Sequence, residues 1–301
     1  MAVSSGVTPS GQRYGEVFDR GYAHYDGPRL GRKQAFRSLV GYSMKRAMGI
    51  RKSWTAKVLP FLLYVAAVVP RIVMIGISAV VPEAEFASYS DYLTAIFMVV
   101  GVFVATTAPE MLCVDRRERI LPLYFSRAIT RFDYVIAKVV AMTLLTMTLS
   151  LVPAVILWLG RQLVSDSPWQ AIRDNIGDLG RVILIGSLTA VVLGTIGLAI
   201  SSLTDRKVVA VIVILVGFLV FTAMGNIGWE LLQDEEWSKY LILLSISDVF
   251  AAVSEHLFHD GQNLFAEEAD LPLWLYLSYM AAIVAIALLI LRWRYRPSDE
   301  S

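Results

Sequence analysis

The residues best suited to chemistry lie in the segment SEHLFHDG, residues 254–261. It places His256 and His259 three residues apart, beside Glu255 and Asp260. Imidazole and carboxylate groups at such a spacing can bind a transition metal. No third histidine or cysteine accompanies them, and a four-coordinate site needs more ligands. The pattern therefore favours solvated side chains, and we predict no metal site.

The sequence lacks the motifs of the common enzyme classes. It has no G-x-x-x-x-G-K-[ST] phosphate loop, so we do not expect this chain to hydrolyse a nucleotide. It also has no G-x-S-x-G nucleophile elbow and no H-E-x-x-H zinc motif. Arg71 is the one charge deep inside an apolar run, whereas a proton relay needs several acids or histidines. We predict neither an enzyme nor a proton-driven transporter.

The densest charge cluster that could bind a partner is CVDRRERILPLYFSRAITRFDYVIAKVV, residues 113–140. A loop that only reverses the chain would be short, as TDRK (204–207) is. Charges of both signs among apolar anchors suit docking to a protein, whereas a headgroup-binding surface would hold few acids. We predict a short helix here, packed through Leu121, Tyr124 and Phe125. The side chains predicted to be exposed for a partner are Asp115, Arg116, Arg117, Glu118 and Arg119.

The elements that would position this cluster are membrane spans. The chain is 56% hydrophobic and 18% charged, with a mean hydropathy of +0.59, whereas soluble domains are about a quarter charged. About 20 apolar residues are needed to cross a hydrocarbon core. The sequence therefore predicts an all-α polytopic membrane protein with six transmembrane helices. The predicted spans are 58–81, 92–110, 135–160, 181–204, 207–229 and 271–293.

The sequence predicts tails and interfacial helices around a six-span domain at 54–295. Residues 1–31 are expected to be a flexible tail, and 296–301 a second tail. The segment 32–53 has apolar residues at helical spacing and basic residues between them, which predicts an amphipathic interfacial helix. In the segment 230–270, the apolar run YLILLSISDVFAAV is too short to span, so short outer helices are expected before span six.

Two patterns inside the spans concern packing. Arg71 follows Pro70 in span one, and a lipid-facing arginine there would cost about 2.5–3.5 kcal/mol. We expect Arg71 to face the bundle or a wet cavity, where it bonds to backbone carbonyls or contacts cargo. Span four carries small residues four positions apart, which allow another helix to approach closely. These residues are Gly186, Ala190 and Gly194.

The distribution of charge predicts the orientation of the chain. Residues 1–57 hold eleven Lys and Arg against three acids, and 110–134 is basic again. The segment 230–270 holds ten acids and one lysine. Cytoplasmic flanks carry the excess of Lys and Arg in membrane proteins. Both termini are therefore expected in the cytoplasm, with the chain as a multi-pass protein of the cytoplasmic membrane.

The stretch DRRERILPLYFSRAITR (115–131), followed by a lysine, resembles a motif of ABC-2-type permeases, which have the type V exporter fold. That motif is a charged E/D-R run, an L-x-x-S-R-P-I-S-R element and a lysine entering span three. The chain departs from it at Ala128, where Pro is usual, and at Thr130, where Ser is usual. LAISSLTDRKVVA (198–210) is similar to the family's turn between spans four and five. The motif residues entering span three are Ser126, Arg127, Arg131 and Lys138.

The resemblance implies the permease subunit of an ATP-driven exporter. The segment between spans two and three would be a cytoplasmic coupling helix that docks on a separate ABC ATPase subunit. Two ATPase copies and a second permease, identical or paralogous, would complete the transporter in the bilayer, with no nucleic acid. ATP and Mg would bind the ATPase, and no cofactor would bind this chain. The cargo would be hydrophobic or amphipathic. Two alternatives stay open: a membrane scaffold or assembly factor without transport activity, and a membrane-embedded enzyme.

The predicted orientation can be tested by cysteine labelling in intact cells on a background without Cys113. We expect Gln262→Cys to react rapidly with a membrane-impermeant thiol reagent and Asp299→Cys not to react, because only the first would face outside. The reverse pattern would overturn the orientation.

Overall fold

The computed structural model describes the chain from Gly31 to Arg296 with short gaps. The described residues are 31–50, 53–80, 89–125, 129–165, 167–232, 235, 237–259, 269 and 271–296. The tail predicted at 1–31 lies outside them except for Gly31, and the tail at 296–301 lies outside them except for Arg296.

The described secondary structure is helical throughout. A 3₁₀ segment, Ser238–Leu244, lies between the eighth and ninth α-helices. In chain order the α-helices are α1 (Arg32–Ala47), α2 (Thr55–Val80), α3 (Tyr89–Arg117), α4 (Leu121–Phe125), α5 (Arg131–Val164), α6 (Pro168–Asp174), α7 (Ile176–Leu203), α8 (Lys207–Leu231), α9 (Ile246–Phe258) and α10 (Leu273–Arg294).

Six of these helices are long and apolar enough to cross a membrane, as the sequence predicts: α2, α3, α5, α7, α8 and α10. The two longest of them, α3 and α5, exceed the length that a bilayer core requires by the widest margin. α3 has 29 residues and α5 has 34, which at 1.5 Å per residue give about 43 and 51 Å, against a hydrocarbon core of about 30 Å. Both helices therefore extend past the hydrocarbon and carry charged residues beyond it.

The centre of the bundle is formed by α3, α5 and α7. Their most apolar windows are 72%, 44% and 61% buried, against 11% for α2 and 17% for both α8 and α10. α7 packs between α3 and α5. The outer three helices consequently present large apolar faces away from the protein.

Small residues on α7 allow its neighbours to approach. A methyl group at Gly186 would overlap Leu151 of α5, and one at Gly197 would overlap Val104 of α3. Ala190 is fully buried, and a methyl group at Gly194 would lie 3.4 Å from Met142 Cγ. The predicted stripe of Gly186, Ala190 and Gly194 thus lies in the helix contact rather than along an open surface.

Before α10, the chain makes a sharp bend at Ser245. The 3₁₀ segment and α9 meet there at 106°, and the Ser245 hydroxyl accepts a hydrogen bond from Asp248 N at 3.3 Å. Val249, Phe250 and Val253 of α9 are buried against the bundle. This geometry belongs to a re-entrant segment or a broken span.

α1 reaches α2 through a glycine turn. Gly49 has φ 67°, in the left-handed region, and Ile50 N donates to Lys45 O at 3.0 Å, which closes the end of α1. A β-carbon at Gly49 would lie 2.8 Å from Ala56 O, so the turn also requires the absence of a side chain. Gly49 therefore ends α1 and allows its backbone to lie against Ala56 in the first turn of α2.

We expect Gly49→Ala to destabilise the protein, because a residue with a β-carbon costs about 1–2 kcal/mol in the left-handed region before the contact with Ala56 is added. Gly41→Ala is the matched control. Gly41 lies inside α1 with nothing within 4 Å of an added β-carbon, so alanine should stabilise by up to about 1 kcal/mol. Thermal unfolding in detergent measures both, and equal unfolding temperatures would contradict the argument.

Candidate functional site

The charged stretch between spans two and three forms the end of α3 and a separate helix, α4, instead of the single short helix that the sequence predicts. α3 continues to Arg117, and Arg119 follows with φ 52°. Arg119 N donates to Arg116 O at 3.1 Å and Ile120 N donates to Asp115 O at 3.2 Å, the pattern that ends a helix. α4 then begins with a proline in its first turn, where the missing N–H costs little. We call residues 117–125 the coupling segment.

Beneath the coupling segment, the carboxylate of Asp115 on α3 binds three side chains from two other helices. Arg46 Nη1 of α1 lies 2.5 Å from Asp115 Oδ1, and Lys138 Nζ of α5 lies 2.6 Å from Asp115 Oδ2. Tyr134 OH of α5 donates to Asp115 Oδ2 at 2.8 Å. We call Arg46, Asp115, Tyr134 and Lys138 the buried charge cluster.

The cluster corrects the expectation that Asp115 is exposed. Its side chain is 0% exposed, and the Lys138 side chain is 1% exposed. The reason is that α3 does not end before the charges: Asp115 lies on the helix face that meets α1 and α5. A side chain with no exposed surface cannot contact a soluble partner, so that expectation is wrong for Asp115.

Lys138 and Arg46 each have a further polar partner besides Asp115. Lys138 Nζ donates to Met111 O at 2.9 Å, and Arg46 Nη2 binds Glu118 Oε2 at 2.8 Å. Burial lowers the pKa of Arg46, but the carboxylates of Asp115 and Glu118 more than offset it, so the pKa is raised. Arg46 therefore keeps its charge, as its carboxylate partners require.

The opposite end of α1 is bound to α5 in a similar way. Arg32 forms a bidentate pair with Asp133, at 2.8 Å from Nε and 2.6 Å from Nη2. Asp133 also closes a capping box with Thr130, which fixes the first turn of α5. Ion pairs thus connect one end of α1 to α5 and the other end to α3. Lys33 and Arg37, between these ends, are exposed.

The turn between α7 and α8 is also joined to the end of α3. Arg116 Nε binds Asp205 at 2.8 Å, and its guanidinium donates to Ser202 O. Six residues earlier on α3, Glu110 pairs with Lys207 at the start of α8. Arg116 is therefore half-buried in contacts within the chain, not exposed as expected. Arg117 and Arg119 are exposed, and Glu118 retains 49% of its side-chain surface.

Aromatic packing places α4 against the first turn of α5. The Tyr124 and Phe125 rings lie 5.7 and 6.0 Å from the Tyr134 ring. Burial, followed by the nearby charge of Asp115, raises the pKa of Tyr124, so its hydroxyl stays protonated. Leu123 on the same helix is 66% exposed.

The motif residues entering span three have different surroundings. Arg131 is exposed, and its Nη1 donates to Arg296 O at 2.8 Å. Lys138 belongs to the buried charge cluster. Ser126 and Arg127 lie outside the described residues.

Arg71 lies far from the cluster, against α3. Its guanidinium carbon is 4.3 Å from the centre of the Tyr92 ring, and Nη1 is 3.5 Å from Met74 Sδ. Within the described part of the chain its Nε has no hydrogen-bond partner. Arg71 does face the bundle, but an aromatic ring takes the place of the expected backbone carbonyls.

In the part of the chain that the structure describes, no further ligand groups lie with the two histidines of SEHLFHDG to form a metal site. His256 Nδ1 lies 2.9 Å from Ala252 O, and His259 caps α9 with φ 55°. Among the described residues, no group of three or more His, Cys, Asp or Glu is arranged to hold a metal ion.

Sequence reasoning missed Arg46 and Tyr134 as site residues. The helical periodicity of 32–53 places Arg46 among the basic residues between the apolar ones, which predicts an exposed side chain. The missed signal is the spacing of Leu39, Ser43 and Arg46, which are four and three residues apart and form the buried face of α1. The sequence around Asp115 has no local pattern that indicates its burial. Nor does it indicate the contact with Arg46, which lies 69 positions away.

A family model described as ABC-2 family transporter protein matches residues 60–293. No curated protein matches the chain significantly. The matched range contains Asp115, Tyr134 and Lys138 but not Arg46, which lies before it.

We expect Asp115→Asn to destabilise the protein by about 3–5 kcal/mol, because it leaves Arg46 and Lys138 as buried cations without their carboxylate. Glu118→Gln is the matched control. Glu118 binds the same arginine but is 49% exposed, so its loss should cost less than about 1 kcal/mol. Unfolding temperatures in detergent, supported by expression levels, test the difference.

A compensated variant separates the loss of charge balance from the loss of shape. Asp115→Leu combined with Lys138→Met removes the carboxylate and one cation together, and leaves Arg46 bound to Glu118. We expect it to regain part of the stability that Asp115→Asn loses. Asp115→Asn behaving like Glu118→Gln would show that the cluster does not hold the helices together.

Proposed function

The chain belongs to the ABC-2 transporter family and is a membrane permease subunit of an ABC transporter, and from this premise we propose that it exports a hydrophobic or amphipathic substrate by docking on a separate ATPase. The coupling segment is the docking element. Arg117 and Arg119 provide its exposed charges, Glu118 its half-exposed one, and Leu123 an apolar tip.

The observation that carries this proposal is the attachment of the coupling segment to several helices at once. The segment is continuous with α3 through Arg117. Directly beneath it, Asp115 binds α1 and α5, and Arg116 binds the α7–α8 turn. A force applied to the exposed tip would therefore act on the centre of the bundle rather than on one loop.

Buried ion pairs suit this role because they resist partial separation. Removing one partner from a buried pair costs about 3–5 kcal/mol, which favours movement of the joined helices as a body. A rigid-body shift of packed helices is a common form of switching between two states. We propose that closure of the ATPases moves α1, α3 and α5 together and that hydrolysis of ATP restores them.

The remaining parts of the assembly follow from the same proposal. α1, α4 and both termini face the cytoplasm, in agreement with the Lys and Arg excess there. Two ATPase subunits bind ATP and Mg, and a second permease, identical or paralogous, pairs with this one. The weakly buried outer faces of α2, α8 and α10 are available to that permease and to lipid.

We expect Arg117→Glu combined with Leu123→Ser to yield a well-expressed permease that no longer retains its ATPase on co-purification. The double change inverts one exposed charge and removes the apolar tip, and leaves the buried charge cluster intact. Retention should fall at least about fivefold, which corresponds to roughly 1 kcal/mol.

Arg37→Glu is the matched control, because Arg37 is an exposed arginine on α1 away from the coupling segment. It should leave ATPase retention unchanged. Full retention and substrate-stimulated ATP hydrolysis in the Arg117→Glu, Leu123→Ser variant would contradict docking at this segment.

A further inference from the structure

A cavity of about 500 Å³ opens beside the coupling segment, where the ends of four helical elements meet. It lies between the turn that joins α3 to α4, the first residue of α5, the α7–α8 turn and the end of α10. Its charged lining residues are Arg116, Arg119, Arg131, Asp205, Arg294 and Arg296.

The lining has a strong excess of positive charge. Five guanidinium groups face one carboxylate, a formal net charge of +4, and that carboxylate, Asp205, binds Arg116 at 2.8 Å. Within the described part of the chain, no second carboxylate lines the cavity to pair with the other four arginines. Like charges held together repel one another, so an anion in the cavity would stabilise the folded protein.

Several of these guanidinium groups are already held in place. Arg131 Nη1 donates to Arg296 O at 2.8 Å, and its guanidinium lies 5.4 Å from the Phe125 ring centre. Arg294 Nε donates to Ser202 O at 3.3 Å. A guanidinium has five N–H donors, so each retains donors for a ligand. Fixed, planar donors of this kind match the oxygens of a phosphate.

The elements around the cavity also expose large apolar side chains. Phe132 of α5 is 60% exposed and Trp293 of α10 is 64% exposed. Tryptophan at the end of a span is typical of the membrane interface. The cavity itself is also lined by Leu121, Pro122 and Phe125. A ligand in the cavity would therefore meet phosphate-binding groups and apolar side chains together.

We propose that this cavity binds the phosphate of an anionic phospholipid headgroup, with the acyl chains along the exposed apolar residues. Basic pockets between transmembrane helices at the cytoplasmic interface bind such headgroups in other membrane proteins. A free phosphate would use the arginines but not the apolar surface. The bound lipid would join α4 to the end of α10. The inference concerns the permease alone and stands whether or not an ATPase docks at the coupling segment.

The test is thermal unfolding of the full-length permease in dodecyl maltoside, titrated with dioctanoyl-phosphatidylglycerol. A ligand that binds only the folded state raises the unfolding temperature, because it stabilises that state by RT ln(1 + [L]/Kd). We expect stabilisation by this lipid, and neither dioctanoyl-phosphatidylcholine nor inorganic phosphate at the same concentration should reproduce it. Arg294→Gln combined with Arg296→Gln should raise the half-saturating lipid concentration by roughly tenfold or more.

The matched control is Lys33→Gln combined with Arg37→Gln, which removes two exposed charges from α1 outside the cavity. It should bind the lipid as the unmodified protein does. Arg119→Gln is a second cavity variant on an exposed turn, and it should also weaken binding if the first variant does not fold.

Three results would overturn the proposal. Equal stabilisation by inorganic phosphate would assign the cavity to a free anion. Equal affinity in the cavity and control variants would place the headgroup elsewhere. Absence of any lipid effect, together with loss of ATPase retention in Arg294→Gln, Arg296→Gln, would assign the cavity to acidic side chains of a partner protein.

Discussion

The structure depends on the charge of one fully buried carboxylate, that of Asp115. An ionised carboxylate in a protein interior is strongly destabilising unless cations and hydrogen-bond donors surround it. Here Arg46, Lys138 and Tyr134 provide them, at 2.5–2.8 Å and from two other helices. Because apolar contacts tolerate sliding and these contacts do not, the cluster sets the register of α1, α3 and α5. Hydrophobic burial alone would leave an amphipathic helix such as α1 free to move along the surface.

The same principle extends along the end of α3. Glu110, Asp115, Arg116 and Glu118 each pair with a charge on another element. The last turns of α3 and the residue after it therefore bind α8, α5, the α7–α8 turn and α1. The covalent connection from α3 into the coupling segment is therefore supported on several sides. This explains how a short exposed segment can be joined mechanically to the buried helices α5 and α7. It also gives the two signs of charge in residues 115–119 different roles. The acids bind cations within the chain, and the exposed charges are mostly arginines.

The six spans could be predicted because each is a long apolar run, which is a local property of the sequence. The charge cluster could not, because burial of Asp115 depends on how far α3 continues and on an arginine 69 residues earlier. A charged residue at the end of an apolar run is ordinarily expected to be solvated. Nothing in the local sequence distinguishes Asp115, which is buried, from Arg117, which is exposed. The break between α3 and α4 was missed for a related reason. It places Arg119 at φ 52°, a conformation for which glycine or asparagine is the usual sequence signal.

Charges at this end of the bundle fall into two groups with different consequences. Those of the buried charge cluster are neutralised within the chain and hold helices in place. Those lining the cavity beside it are mostly arginines, and Asp205 is the one carboxylate among the described lining residues. Tyr295 connects the two groups: it lines the cavity, is 8% exposed, and its ring lies 5.4 Å from that of Tyr134. Tyr295 therefore lies between the cavity and the tyrosine that donates to Asp115. The cavity and the buried charge cluster are in this way physically adjacent.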